Sequence, residues 1–147
     1  MLDYSFKTHY FLAMTITYSS SKDVNLAHIQ EFYELSFKEK PRPTQDPLRM
    51  KSMIEATSLF LTAWDENKLI GICRSLSDFA YVSYISDLAV HPDYQKQGIA
   101  KQLIALTQEK SGAHCKIVIL SNIEANSFYP HIGFTAHDRA WTLSTED

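Results

Sequence analysis

The residues Gln95-Lys96-Gln97-Gly98-Ile99-Ala100 stand between an apolar, strand-like run and a helical repeat, a place where backbone groups can do chemistry. The first amides of a helix lack internal partners and the helix dipole is positive there, so a phosphate-type anion is favoured. Gly98 lets the backbone approach such a group closely, Ala100 is too small to block it, and Lys96 and Lys101 add positive charge. The same hexapeptide also suits an ordinary tight turn before a helix. It matches neither G-x-x-x-x-G-K-[ST] nor G-x-G-x-x-G, so nucleoside triphosphate hydrolysis and nicotinamide chemistry have no motif here. Some other diphosphate is the expected ligand.

Elements on either side must hold this segment in place. Ile99, Leu103 and Leu106 share a stripe with Ala100 and Ile104 beside it, which predicts a helix over 98–111 closing near Gly112. Before it, Tyr81 to Val90 reads as a strand stopped at His91-Pro92. After it, Cys115 to Leu120 is wholly apolar, as in a strand buried on both faces. These three form a right-handed parallel crossover. Upstream, Leu59 to Trp64 and Leu69 to Leu76 flank a polar turn as a hairpin. Asp46-Pro47 opens a helix carrying Met50, Met53 and Ile54, and Asp23 caps an earlier helix carrying Leu26, Ile29, Phe32 and Tyr33. Tyr10 to Tyr18 is a first strand, a short helix spans about 123–131, and Phe134 to Leu143 is a last strand. The expected class is α/β in the mixed α+β sense.

Composition sets the outer bounds. The 147 residues fit one domain, 1–147, and 45% hydrophobic against 21% charged residues supply a real core. A net charge of −3 gives no basic field for nucleic acid or anionic lipid, so any anion site is local. No apolar run reaches the length of a membrane span, and Met1 to Lys7 show no charged start followed by an apolar stretch and a cleavage site, so export is not expected. Cys73 and Cys115 lie in strand-like segments and read as reduced core thiols. A cytoplasmic protein without membrane or nucleic-acid partners is expected. The histidines at 9, 28, 91, 114, 131 and 137 show no metal-ligand spacing, so no metal is expected.

The stretch Ile85-Ser86-Asp87-Leu88-Ala89-Val90-His91-Pro92-Asp93-Tyr94-Gln95-Lys96-Gln97-Gly98-Ile99-Ala100 resembles motif A of the GNAT superfamily of acyl-CoA N-acyltransferases, with its loop pattern Q/R-x-x-G-x-G/A. Asn122-Ile123-Glu124-Ala125-Asn126-Ser127-Phe128-Tyr129-Pro130-His131-Ile132-Gly133-Phe134 is similar to that family's later motif. The resemblance implies a GNAT-like fold: a central mixed, mostly antiparallel sheet with splayed parallel strands and flanking helices. It implies acetyl-CoA as donor, with its pantetheine arm along the backbone of Leu88, Ala89 and Val90. The amides of Gln97, Gly98, Ile99, Ala100 and Lys101 would hold the pyrophosphate, with the Gln95 and Lys96 side chains nearby. Asn122 matches a cofactor-facing Asn, and Tyr129 a tyrosine facing the sulfur whose hydroxyl could protonate the leaving thiolate.

The implied activity is acetyl transfer to a primary amine of a small molecule, by direct attack in a ternary complex. Acetylation of a protein lysine or N-terminus, or a non-catalytic CoA-binding module, are alternatives. Tyr84 stands where some relatives place a glutamate base; Asp87 is the preferred candidate, though it equally suits a structural aspartate, and a water relay would serve instead. The acceptor would enter between the first two helices and the meander. Phe32, Tyr33, Tyr81 and Tyr84 are the expected wall, residue types that also suit core packing. Family members commonly form homodimers, and Trp141 on the last strand would suit an interface.

Overall fold

The computed structural model describes residues 15–144. In chain order the elements are β1 (Ile16–Ser19), α1 (Leu26–Ser36), α2 (Pro47–Glu55), β2 (Leu59–Asp65), β3 (Lys68–Ser77), β4 (Val82–Val90), a 3-10 turn (Pro92–Tyr94), α3 (Ile99–Ser111), β5 (Lys116–Ile119), a second 3-10 turn (Ile123–Ala125) and α4 (Phe128–His131). The strands form one sheet in the order β1-β2-β3-β4-β5. The first four pair antiparallel and β4 pairs parallel with β5, the mixed α/β sheet expected.

Side-chain alternation places a core on each face of the sheet. Phe60 and Ile72 meet Ile29, Phe32, Tyr33 and Phe37 of α1 and its C-terminus, with Met50 and Ile54 of α2. Leu61, Ala63, Ile70, Cys73 and Ile85 meet Ile99, Leu103 and Ile104 of α3. The approach of α3 depends on Gly71: a Cβ there would stand 3.1 Å from a Leu103 methyl and 3.3 Å from one of Ile99. That close packing fixes the start of α3 relative to β3 and β4.

Several expectations are corrected. The cap of α1 is Asn25, which accepts from Ala27 N–H at 2.9 Å, and not Asp23. Val24 before it packs into the same core as Ile29, a staple that starts the helix two residues later. β1 covers only the end of the expected strand 10–18; residues 10–14 lie outside the described ones. β5 is buried on neither face fully, with Val118 38% exposed, because it is an edge strand. The expected helix 123–131 is two pieces, since Pro130 lacks an N–H and obstructs the carbonyl four residues earlier. Phe134 to Leu143 forms no strand and is mostly exposed, so among the described residues β5 has one unpaired edge.

Candidate functional site

β4 pairs with β5 only from Val82 to Ile85, opposite Lys116 to Ile119. Farther along, β4 remains paired to β3, and among the described residues nothing pairs with its other side. The break coincides with a bulge: Arg74 faces Asp87 and Ser75 faces Ile85, so Ser86 is an extra residue. The bulge switches the alternation of β4. Ile85 and Leu88 both pack toward α3, whereas Asp87 and Ala89 turn to the α1 side.

His91 N–H donates to the Ile70 carbonyl at 2.8 Å. Antiparallel alternation therefore turns the N–H and C=O of Leu88 and Val90 away from β3, while Ala89 faces its partner Ile72. Gln95 occupies one of these groups, its side-chain amide donating to the Val90 carbonyl at 3.2 Å. Of the three backbone positions expected on this edge, Leu88 and Val90 present themselves and Ala89 does not.

The 3-10 turn then carries the chain to the mouth of α3. Lys96 (φ 62) and Gly98 (φ 80) are both left-handed, a curl that turns neighbouring N–H groups toward one concavity. Gly98 caps α3 without any side-chain bond, and Gln102 N–H is the one that returns to the Gly98 carbonyl. The N–H groups of Ile99, Ala100 and Lys101 thus have no helical partner. A Cβ at Gly98 would meet nothing within 4 Å, and Gln95, Lys96, Gln97 and Lys101 are exposed around the opening. Uncapped amides, an open glycine and two lysines fit a diphosphate.

Tyr129 lies on α4 with its ring edge-on to Phe128 at 5.2 Å and Phe134 at 5.4 Å. Burial, with Cys73 adding to it, pushes its phenol above the ordinary value, so it stays protonated through neutral pH. Asn122 is exposed at the start of the second 3-10 turn. Tyr129 and Asn126 line a cleft of about 800 Å³ between β5 and residues 132–140. That cleft lies beyond β5, in the gap where the expected last strand is not laid down, and none of its walls belongs to β4.

Asp87 is 1% exposed and fully engaged. Its Oδ1 accepts from Arg42 Nε at 2.6 Å; its Oδ2 accepts from Arg74 Nε at 2.5 Å and from the Tyr33 hydroxyl at 2.8 Å. Burial acts to raise its pKa, but Arg74 and then Arg42 outweigh it and hold the carboxyl below the usual range. A carboxylate closed off between two guanidiniums is a brace and not a base, which corrects the expectation for Asp87.

Tyr33 is corrected with it, being wholly buried, and burial followed by the Asp87 charge pushes its phenol well above the ordinary value. Phe32 is also core, touching only the small cleft beside His28 and His91. Tyr81 is exposed under Lys116 Nζ, 5.7 Å from its ring, and Tyr84 is half-buried between its strand neighbours Leu76 and Val118. The four aromatic residues do not form one wall; Tyr81 and Tyr84 alone reach solvent beside the stretch that β4 shares with β5. Arg42 and Arg74 were not among the expected site residues. Their signal was an arginine inside the apolar run 69–76 and another between Pro41 and Pro43.

Cys73 and Cys115 are buried free thiols, and burial pushes Cys73 up to about 11. Among the described residues no helix is long and apolar enough to cross a membrane, and no cluster of His, Cys, Asp and Glu could hold a metal.

Known proteins bear on this geometry. The chain is 34% identical over 96 residues to the uncharacterized N-acetyltransferase ycf52 of Gracilaria tenuistipitata var. liui, covering 60% of this chain and 52% of that protein. It is 35% identical over 77 residues to the histone acetyltransferase TAP1 of Glycine max, covering 49% of this chain and 32% of that one. The chain thus spans about half or less of the length of these relatives. The structure of the aminoglycoside N-acetyltransferase AAC(6')-Iy in complex with CoA superposes with a TM-score of 0.71, covering 90% of this chain and 96% of that one, at 17% identity. At that identity the likeness speaks for the fold alone. The family model of the acetyltransferase (GNAT) domain matches residues 27–142, which take in β4, the α3 mouth and Tyr129 together, and on that match the chain belongs to the GNAT family.

Proposed function

We propose that the protein transfers the acetyl group of acetyl-CoA to a primary amine of a small molecule, by direct attack with donor and acceptor bound together. One observation carries this reading: the bare edge of β4 at Leu88 and Val90 leads directly into the uncapped amides at the start of α3. When bound, acetyl-CoA supplies an activated thioester carbonyl and a thiol leaving group. The chain supplies the rest. The N–H groups of Gly98 to Lys101, with Lys96 and Lys101, grip the pyrophosphate. Leu88 and Val90 bond the amide-bearing arm as an added strand would, and the Leu88 N–H polarises the carbonyl. Asn122 faces the cofactor, and Tyr129 holds a proton for the departing thiolate.

With Asp87 committed to Arg42 and Arg74, the amine passes its proton to solvent. Tyr81 and Tyr84 flank the acceptor. Release of free CoA thiol from acetyl-CoA across a panel of small amines tests the reading. Turnover with at least one is expected, and binding without turnover on any contradicts it. The similarity to a histone acetyltransferase favours a second reading, a protein acceptor. Rates on lysine peptides and on small amines at equal concentration separate the two.

A further inference from the structure

Arg42 sits in the loop joining α1 to α2, residues 37–46, far in sequence from β4. Its guanidinium lies 4.0 Å from the Phe37 ring centroid, and its three nitrogens serve three different partners. Nη1 donates to the Lys40 carbonyl at 2.8 Å, which closes the loop on itself. Nε donates to Asp87 Oδ1 at 2.6 Å, and Nη2 to the Ser86 carbonyl at 3.2 Å. Arg74 supports the same point from β3, its Nη2 donating to Ser86 Oγ at 2.8 Å, but it does not reach the Ser86 carbonyl.

The Ser86 carbonyl is half of the peptide plane before residue 87, and the Asp87 carboxylate is that residue's side chain. Holding both leaves residue 87 little freedom, and the next peptide plane carries the Leu88 N–H. A bulge without such support is a soft place in a strand, because its extra residue has no partner across the ladder.

We propose that Arg42 is a positioning residue: it aims the Leu88 N–H at the acyl carbonyl and couples that aim to the α1–α2 loop. This rests on the reading that acetyl-CoA lies along β4. A guanidinium is required because the fork must satisfy a carboxylate and a carbonyl at once; an ammonium offers a point charge without that geometry.

The test is isotope-edited infrared spectroscopy of acetyl-CoA labelled at the thioester carbonyl, bound to the wild type, to Arg42→Ala and to Arg42→Lys. Calorimetry of the same complexes and thermal unfolding of the free proteins accompany it. In the wild-type complex the carbonyl stretch moves to lower wavenumber than in solution. In both variants it returns toward the solution value although acetyl-CoA still binds, and added guanidinium restores the shift in Arg42→Ala. In turnover, kcat falls by about tenfold or more while KM for acetyl-CoA stays within about twofold. A role confined to stability would lower the unfolding temperature and leave the stretch untouched.

If Arg42→Ala does not fold, Arg42→Lys, which keeps the charge beside Asp87, decides alone. A wild-type shift retained in the folded variants overturns the role of Arg42 and leaves the proposed function standing. A wild type that does not bind acetyl-CoA, or binds it without any shift, overturns the docking along β4 and this inference with it.

Discussion

Tyr129 and Asp87 differ in what surrounds them, and the surroundings set their roles. Burial pushes the Tyr129 phenol above its ordinary value, and in the proposed reaction its hydroxyl is the proton source. Tyr129→Phe removes that proton and keeps the ring between Phe128 and Phe134, so kcat falls by about 10²-fold or more with stability nearly unchanged. A rate within twofold of wild type, checked by thiol release, would remove Tyr129 from the chemistry. Asp87 contributes in the opposite way, to stability. Its folded pKa lies below that of the unfolded chain, so the stabilisation is complete above the ordinary carboxylate range near pH 4 and is lost as pH falls through the lowered value. Asp87→Asn leaves Arg74 buried without its charge partner and costs about 3–5 kcal/mol by denaturant unfolding, with the acid limb of the stability curve flattened.

At the scale of elements, the site is a consequence of how β4 ends one pairing and keeps the other. The bulge at Ser86 releases it from β5, while β3 stays paired as far as Val90. α3 then starts against β3 at Gly71, and Val90 at the end of β4 packs against the same cluster as Ile99 and Leu103. Gly98→Ala puts a side chain on a left-handed residue, which costs about 1–2 kcal/mol of stability. Because that new methyl also stands in the anion mouth, CoA affinity falls by more than stability does. Thermal unfolding and CoA titration of the same variant check this; equal losses, or an unchanged affinity, would show that the mouth of α3 is not where the diphosphate sits.

Across the whole molecule, the parts that could be read from sequence are those governed by local spacing. The hairpin, the helix carrying Ile99 and Leu103, and the Asp46-Pro47 start all follow from patterns a few residues long. The buried brace does not, because Arg42 and Asp87 are 45 residues apart and no spacing rule connects them. From sequence alone Asp87 therefore suits a base and a structural aspartate equally, and Tyr33 suits both a binding wall and the core; the brace decides for the second in each case. Phe134 to Leu143 is not a strand for another reason: strands need a paired neighbour and a covered face, which this segment lacks among the described residues. Hydrogen exchange should reflect this contrast. The amides of β3, paired on both sides, exchange slowest, and those of residues 134–144 are among the fastest of the described chain.

Calorimetric titration of the protein with CoA decides whether the β4 edge and the α3 mouth together seat acetyl-CoA as proposed. A saturable one-to-one isotherm that weakens sharply in Gly98→Ala is expected. Absence of heat, or an isotherm indifferent to that substitution, would contradict it.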